Sequence, residues 1–193
     1  MTAWLVVGLG NPGERYAATR HNVGARVVDV LAARRGDRFR KARFIPADLA
    51  ETRIVGERVY LFRPRAFMNE SGPPVASFAR RHGLPPDRIV ACHDEIDIPL
   101  GALRLKLGGS TAGHNGLRSL VRALGGDEGF YRVRVGVGRP PGRKDPAAYV
   151  LEPFAKRERA DAELLVERAA DAVETLLGEG LAAAQDRFNR SPG

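Results

Sequence analysis

WLVVGLGNPG, residues 4–13, decides the fold: a short apolar, β-branched run breaks into a loop rich in glycine. No polar residue interrupts the run, so it reads as a buried central strand. Gly8, Gly10 and Gly13 carry the G-x-G-x-x-G spacing that follows the first strand of dinucleotide-binding folds. That fingerprint works only when the loop runs straight into a helix whose N-terminus faces the pyrophosphate. Here the apolar helical period starts at Val23, well past Gly13, and Pro12 removes an N–H that a phosphate cradle needs. The loop therefore reads as a turn that presents Asn11, and a dinucleotide-dependent oxidoreductase is the disfavoured alternative.

Working outward, strands and helices alternate as in an α/β fold. Val23, Val27, Val30 and Leu31 share one helical face, with Gly36 as a stop signal. Strand-like pieces follow around 44–50 and 59–63, with Gly56 in the turn between them. Ser71 and Pro73-Pro74 open a helix that runs through Arg81, since proline is tolerated in a first helical turn. Residues 87–95 form a strand that delivers His93, Asp94 and Glu95 at its end, and ALRLKL (102–107) alternates apolar with basic residues. GGSTAGHNG (108–116) is a loop of small residues before a helix from Leu117 to Leu124. YRVRVGVG (131–138) alternates again, putting Arg132 and Arg134 on one side, and a long helix runs from about Lys156 to Leu177 over Leu165, Ala169, Val173 and Leu176. The expectation is one domain over residues 1–193, with a twisted, mixed but largely parallel β-sheet flanked by helices.

A chain of 193 residues, 44% apolar, buries roughly 70% of its unfolded surface and needs no staple. One cysteine, Cys92, excludes an internal disulfide and a thiolate zinc cluster. No basic leader and no membrane-length apolar run is present, so a cytoplasmic protein without a membrane partner is expected. Residues 1–151 carry 25 basic and 14 acidic side chains, whereas residues 152–193 carry 6 and 9. A basic body of this kind suits a polyanion, nucleic acid above all, although a solubilising surface has the same composition.

The strand-end loops supply polar groups that would meet at one edge of a parallel sheet: Asn11 and His21, FMNESG (67–72), HDEID (93–97) and GHNG (113–116). Asn69 and Asn115 each precede a helix, so capping competes with a functional reading at both. Convergence of Asn11, Asn69 and Asn115 with His21 and Asp94 favours acyl transfer to water. An imidazole takes the proton from water at neutral pH, a carboxylate fixes its tautomer, and carboxamide N–H groups stabilise charge on a carbonyl oxygen. No serine sits in a nucleophile elbow, and Cys92, inside a strand, reads as buried and inert. His21, His93, His114, Asp94 and Asp97 are a possible metal set, but no tight ligand spacing supports one.

GLGNPGERYAATRHNVG, FMNESG, HDEIDIP, KLGGSTAGHNGL and RVRVGVGRP, in that order and over nearly the whole chain, resemble bacterial-type peptidyl-tRNA hydrolase. The resemblance implies a monomeric, metal- and cofactor-independent enzyme that cleaves the ester between a peptide and the 3′-terminal ribose of tRNA, with no obligate protein partner. It implies His21 as the base, Asp94 as the carboxylate that orients it, and Asn69 and Asn115 as groups that position substrate and water. Asn11 would hold the peptide, Tyr16 and Met68 would wall the cleft, and His114 would lie beside the tRNA terminus. Lys106 and Arg134 would clamp the 5′-phosphate of tRNA from exposed strand faces. Ser110-Thr111-Ala112 and Arg143-Lys144 lie where the family is expected to vary. Proteins of similar fold that bind RNA without hydrolysis are the main rival, and the presence of His21, Asp94 and the asparagines favours the enzyme.

Overall fold

The computed structural model describes residues 2–190. Strand β1 (Trp4–Gly8) is fully buried at the middle of a seven-stranded sheet, as its unbroken apolar run demands. The order across the sheet is β2 (Arg40–Lys41), β3 (Ala47–Ile54), β4 (Glu57–Pro64), β1, β5 (Ile89–Glu95), β7 (Tyr131–Gly136) and β6 (Leu103–Leu107). Strands β4, β1, β5 and β7 run parallel, and the outer pairs β2–β3, β3–β4 and β6–β7 are antiparallel. The chain leaves β1 for β4 on one side and crosses to β5 on the other. The carboxyl end of β1 is therefore a topological switch point, where open α/β sheets bind ligands.

Helices α2 (Val23–Ala33) and α6 (Arg159–Glu179) cover one face through Val27, Leu31, Leu165 and Val173. Helices α3 (Gly72–Arg81) and α4 (Asn115–Ala123) cover the other through Val75, Phe78, Leu117 and Leu120. Two glycines set these approaches. A Cβ on Gly24 of α2 would lie 2.1 Å from the Cys92 carbonyl oxygen of β5, and one on Gly72 of α3 would lie 2.0 Å from the Ser119 carbonyl oxygen of α4. The first contact brings the start of α2, and with it His21, down onto the end of β5.

Several elements depart from expectation, among them strand β2, which no sequence pattern announces. A four-residue helix, α1 (Glu14–Ala17), follows the glycine loop, too short to act as a dinucleotide helix. Strand β3 starts at Ala47 rather than at residue 44, because Phe44 takes a left-handed φ of 63° and Pro46 has no N–H for a ladder. Two short helices, α5 (Pro146–Val150) and α7 (Leu181–Phe188), carry too few apolar positions to show a period. Helix α7 has a clear task. The Gln185 amide donates to the Leu105 carbonyl, and the Leu105 N–H donates to Asn189 Oδ1, which closes the β6 edge of the sheet. No helix among the described residues is long and apolar enough to cross a membrane.

Candidate active site

The loops after β1, β4 and β5 and the loop before α4 meet at the switch point, around a cleft of about 550 Å³. His21 lies in a 3-10 turn (Arg20–Asn22) between α1 and α2, and Asp94 is the penultimate residue of β5. His21 Nδ1 stands 2.8 Å from Asp94 Oδ2, and His114 Nε2 stands 2.8 Å from Asp94 Oδ1. The buried carboxylate thus accepts from two imidazoles. Burial would raise the Asp94 pKa, but its pairing with His114 and then with His21 holds it well below the usual carboxylate range.

The backbone fixes the protons. His114 is the N-cap of α4, and its Nδ1 accepts from the Gly116 and Leu117 N–H groups at 3.1 and 3.3 Å. Nδ1 is therefore bare, Nε2 carries the proton, and His114 donates it to Asp94. A carboxylate can only accept, so His21 donates from Nδ1, and Nε2 is the nitrogen that the neutral tautomer leaves free. Asn11 is set with equal care: its N–H donates to Asn22 Oδ1 at 2.9 Å, Asn22 Nδ2 donates to its carbonyl at 2.8 Å, and its own Oδ1 accepts the Met68 N–H at 2.7 Å. What Asn11 has left to offer a ligand is its NH₂ group.

Asn69 and Asn115 line the cleft, both are exposed, and neither side chain is hydrogen-bonded among the described residues. Capping accounts for neither: His114 caps α4, and Asn69 sits inside a 3-10 turn (Met68–Glu70). Met68 is a buried wall residue, whereas Tyr16 stands one layer back and reaches the cleft through Phe67, ring edge to face at 6.3 Å. The far wall is Pro146, Ala147, Val150 and Leu151. Arg20 ties that wall to His21. It is buried, donates to the Tyr149 carbonyl at 3.2 Å and to Glu158 at 2.9 Å, and lies 3.7 Å over the Tyr149 ring.

The five-residue metal set does not assemble. His93 points to the opposite sheet face from Asp94, with its Nδ1 on the Asp94 carbonyl at 2.8 Å, and exposed Asp97 pairs with Arg139. His21, Asp94 and His114 alone offer donor atoms within 4.8 Å of one another. Their 2.8 Å N···O distances are those of hydrogen bonds, whereas tetrahedral ligands of zinc stand about 3.4 Å apart. Burial, with His114 beside it, pushes the His93 pKa down to about 3, and burial pushes the Cys92 thiol up to about 12, so Cys92 is inert.

Lys106 and Arg134 do share one face of the sheet, but neither stands on an open strand face. Arg134 is half-buried and pairs with Glu95 at 3.0 Å, and Lys106 is held below its usual pKa by burial, Arg134 and Arg132. Arg132, expected on the same side as Arg134, has no exposure. It stacks 4.1 Å from the centre of the Phe130 ring and donates to the Gly109 carbonyl at 2.8 Å, which anchors the start of the glycine loop. Alternation showed the shared side correctly and missed that side chains and loop cover it.

Residues 5–193 match the model of the family described as peptidyl-tRNA hydrolase. The chain is 54% identical over 185 residues to a peptidyl-tRNA hydrolase of Nocardia farcinica, which covers 96% of this chain and 95% of the relative. It is 55% identical over 182 residues to one of Mycolicibacterium smegmatis, which covers 94% and 95%. The crystal structure of peptidyl-tRNA hydrolase from Acinetobacter baumannii superposes with a TM-score of 0.90 at 34% identity, over 97% of this chain and 94% of that one. By sequence along its whole length and by fold, the chain belongs to the peptidyl-tRNA hydrolase family.

Proposed function

We propose that this chain hydrolyses the ester between a peptide and the 3′-terminal ribose of tRNA, with His21 as general base. The supporting observation is the double engagement of Asp94, which has His21 donate from Nδ1 at the cleft, so that Nε2 is the free nitrogen of its neutral ring. Water gives a proton to His21 Nε2 as its oxygen attacks the ester carbonyl carbon. The unbonded carboxamides of Asn69 and Asn115 donate to the oxygen on which charge develops and align the water. Collapse of the tetrahedral intermediate breaks the bond to ribose, and the imidazolium returns its proton to the leaving 3′-oxygen. The products are a peptide acid and tRNA. Asn11 uses its free NH₂ on the peptide, and Met68, with Tyr16 behind Phe67, walls that part of the cleft. Both nitrogens of His114 are taken, so it meets the tRNA terminus with its ring rather than with a hydrogen bond.

Lys106 and Arg134 serve as the phosphate clamp. Partial burial strengthens the attraction of Lys106 for a phosphate, and Arg134 would share that phosphate with Glu95. The reading includes action as a monomer in the cytoplasm, without a metal. The decisive experiment is release of free tRNA from purified peptidyl-tRNA under single-turnover conditions, wild type against His21→Ala. A rate loss of about 10³-fold or more with tRNA affinity within threefold is expected, and turnover within tenfold of wild type would remove His21 from the role of base.

A further inference from the structure

The loop between β2 and β3 combines exposure and backbone strain at an aromatic residue; Val55, in the β3–β4 turn, does so at an aliphatic one. Phe44 is 80% exposed and holds a φ of 63°, a conformation that costs a bulky residue energy. Its neighbours do not explain this. Ile45 is buried and the Ala42 N–H closes the loop on the Ala47 carbonyl, so the turn is already anchored without the phenyl ring. Two guanidinium groups flank the ring, those of Arg43 at 5.2 Å and Arg81 at 5.8 Å from its centre. Arg40, Lys41, Arg43 and Arg81 are all exposed, and none pairs with a carboxylate among the described residues. Charge on a short edge strand guards against strand pairing, which accounts for Arg40 and Lys41 but not for an outward aromatic in a strained conformation.

The loop lies on the same edge of the sheet as the candidate active site. Strand β2 runs parallel to β4, so its end at Lys41 faces the way the ends of β4, β1 and β5 do. Counted in strand spacings, the loop is on the order of 12–17 Å from the ends of β1 and β5. Lys106 and Arg134 lie on the other flank of the cleft, on β6 and β7.

We propose that Phe44, with Arg43, Arg81, Arg40 and Lys41, is a docking platform for single-stranded RNA other than the substrate tRNA. A phenyl face stacks on any base, guanidinium groups stack and bind phosphate, and a basic rim tracks the backbone. On the function proposed above, on which this step rests, the substrate's phosphate contact falls to Lys106 and Arg134 on the opposite flank, which leaves this platform to a second RNA strand. An acidic peptide would use the cations but would gain nothing from a bare ring held between them.

The test measures anisotropy of a fluorescein-labelled, unstructured RNA 10-mer with the full chain across a salt series. Phe44→Leu should weaken binding about tenfold with the salt slope unchanged, and an oligomer with abasic positions should bind both proteins alike. The double exchange Arg43→Gln with Arg81→Gln should weaken binding and flatten the slope by about one to two phosphates. Phe44→Gly relieves the backbone, so it should raise the thermal midpoint by about 2 °C while it weakens RNA binding, a split that a merely structural residue would not show. Equal RNA affinity of Phe44→Leu and wild type overturns the proposal. So does an equal loss of deacylated-tRNA binding and ester turnover in Phe44→Leu, which would make the loop part of the substrate footprint. Capture of a glutamate-rich 10-mer as tightly as the RNA overturns it as well. Ester cleavage is read separately, so failure of this platform and failure of the hydrolase reading are distinguishable.

Discussion

Asp94→Asn exchanges two acceptor oxygens for one oxygen and one NH₂, and the structure dictates which way the amide turns. His114 cannot change its tautomer, because Nδ1 accepts two N–H groups of α4 and Nε2 must donate. The single oxygen of the new carboxamide therefore stays on His114, and its NH₂ faces His21 Nδ1. His21 then accepts at Nδ1 and carries its proton on Nε2, the atom required as base. Restoring the active tautomer sets an N–H against an NH₂ in a site where the Asp94 side chain is 3% exposed. That leaves a buried donor unsatisfied, about 1–3 kcal/mol, and forfeits a charge-assisted hydrogen bond, about 1.5–3 kcal/mol. The sum, about 4 kcal/mol, predicts a fall in single-turnover rate of about 10³-fold. The same exchange in a serine-protease triad costs about 10⁴ by the same route.

A second variant separates control of the tautomer from simple loss of charge. His114→Asn keeps an N-cap of good quality but is too short to reach residue 94. In the double variant Asp94→Asn/His114→Asn the amide at position 94 is free to turn its oxygen toward His21. Activity should then rise about tenfold above Asp94→Asn alone, with nitrogen chemical shifts of His21 moving back to the Nδ1–H form. Turnover of Asp94→Asn above a tenth of wild type, or a His21 that keeps its proton on Nδ1 in that variant, would refute the tautomer assignment.

Lys106→Ala should reduce the slope of log Kd for tRNA against log salt by about one phosphate, with the single-turnover rate at saturation unchanged; an unaltered slope removes Lys106 from the clamp. Arg134→Ala should cost more than its charge, because Glu95 is left buried without its partner, and Glu95→Gln in that background should recover part of the loss. His93 sets an acid-side stability limit. Its pKa is about 3 in the fold against about 6.5 in the unfolded chain, so the unfolded state binds the extra proton between those values. Stability is whole above about pH 6.5 and falls by about 1 kcal/mol per pH unit below it. Urea titrations at about pH 7, 6 and 5 should show this slope in wild type and lose much of it in His93→Gln. Gly24→Ala puts a methyl 2.1 Å from the Cys92 carbonyl oxygen, and lifting α2 off β5 should cost about 3 kcal/mol or more by denaturant midpoint; a neutral result would mean that the helix is not seated as described.

The readable part of this molecule is the part in which neighbours in sequence share one environment. Strands β1, β5 and β7 announce themselves because each crosses one buried layer, and α2 and α6 because each turns one apolar stripe to one core. The parallel order of β4, β1 and β5 then brings His21, Asn69 and Asp94 to one edge, which is why convergence of the strand-end loops could be expected from sequence. Side-chain partners across the fold could not. Asn22 stands at the start of α2, yet its side chain clamps Asn11 instead of capping the helix; capping competes with a functional reading at Asn115, yet His114 performs that task and in doing so fixes the proton of a ring one carboxylate away from the base. Both partners were hidden for one reason. Local rules rank residues by what the nearest backbone N–H wants, and a site is built where a side chain satisfies that demand with one atom and spends another on a distant group. His114 is such a residue, and the glycine loop before it, anchored by buried Arg132, holds it where α4 and Asp94 are both in reach. The same logic reorders the opening loop. Gly8 lets α2 pack within contact of β1, and Asn11 gives its oxygen to Met68 rather than to a phosphate. Gly8 and Gly10 record close packing of strand and helix, and Gly13, at a φ of 99°, records a turn. In a nucleotide fold the first turn of that helix would face a phosphate; here the 3-10 turn ahead of α2 carries His21 to Asp94 instead.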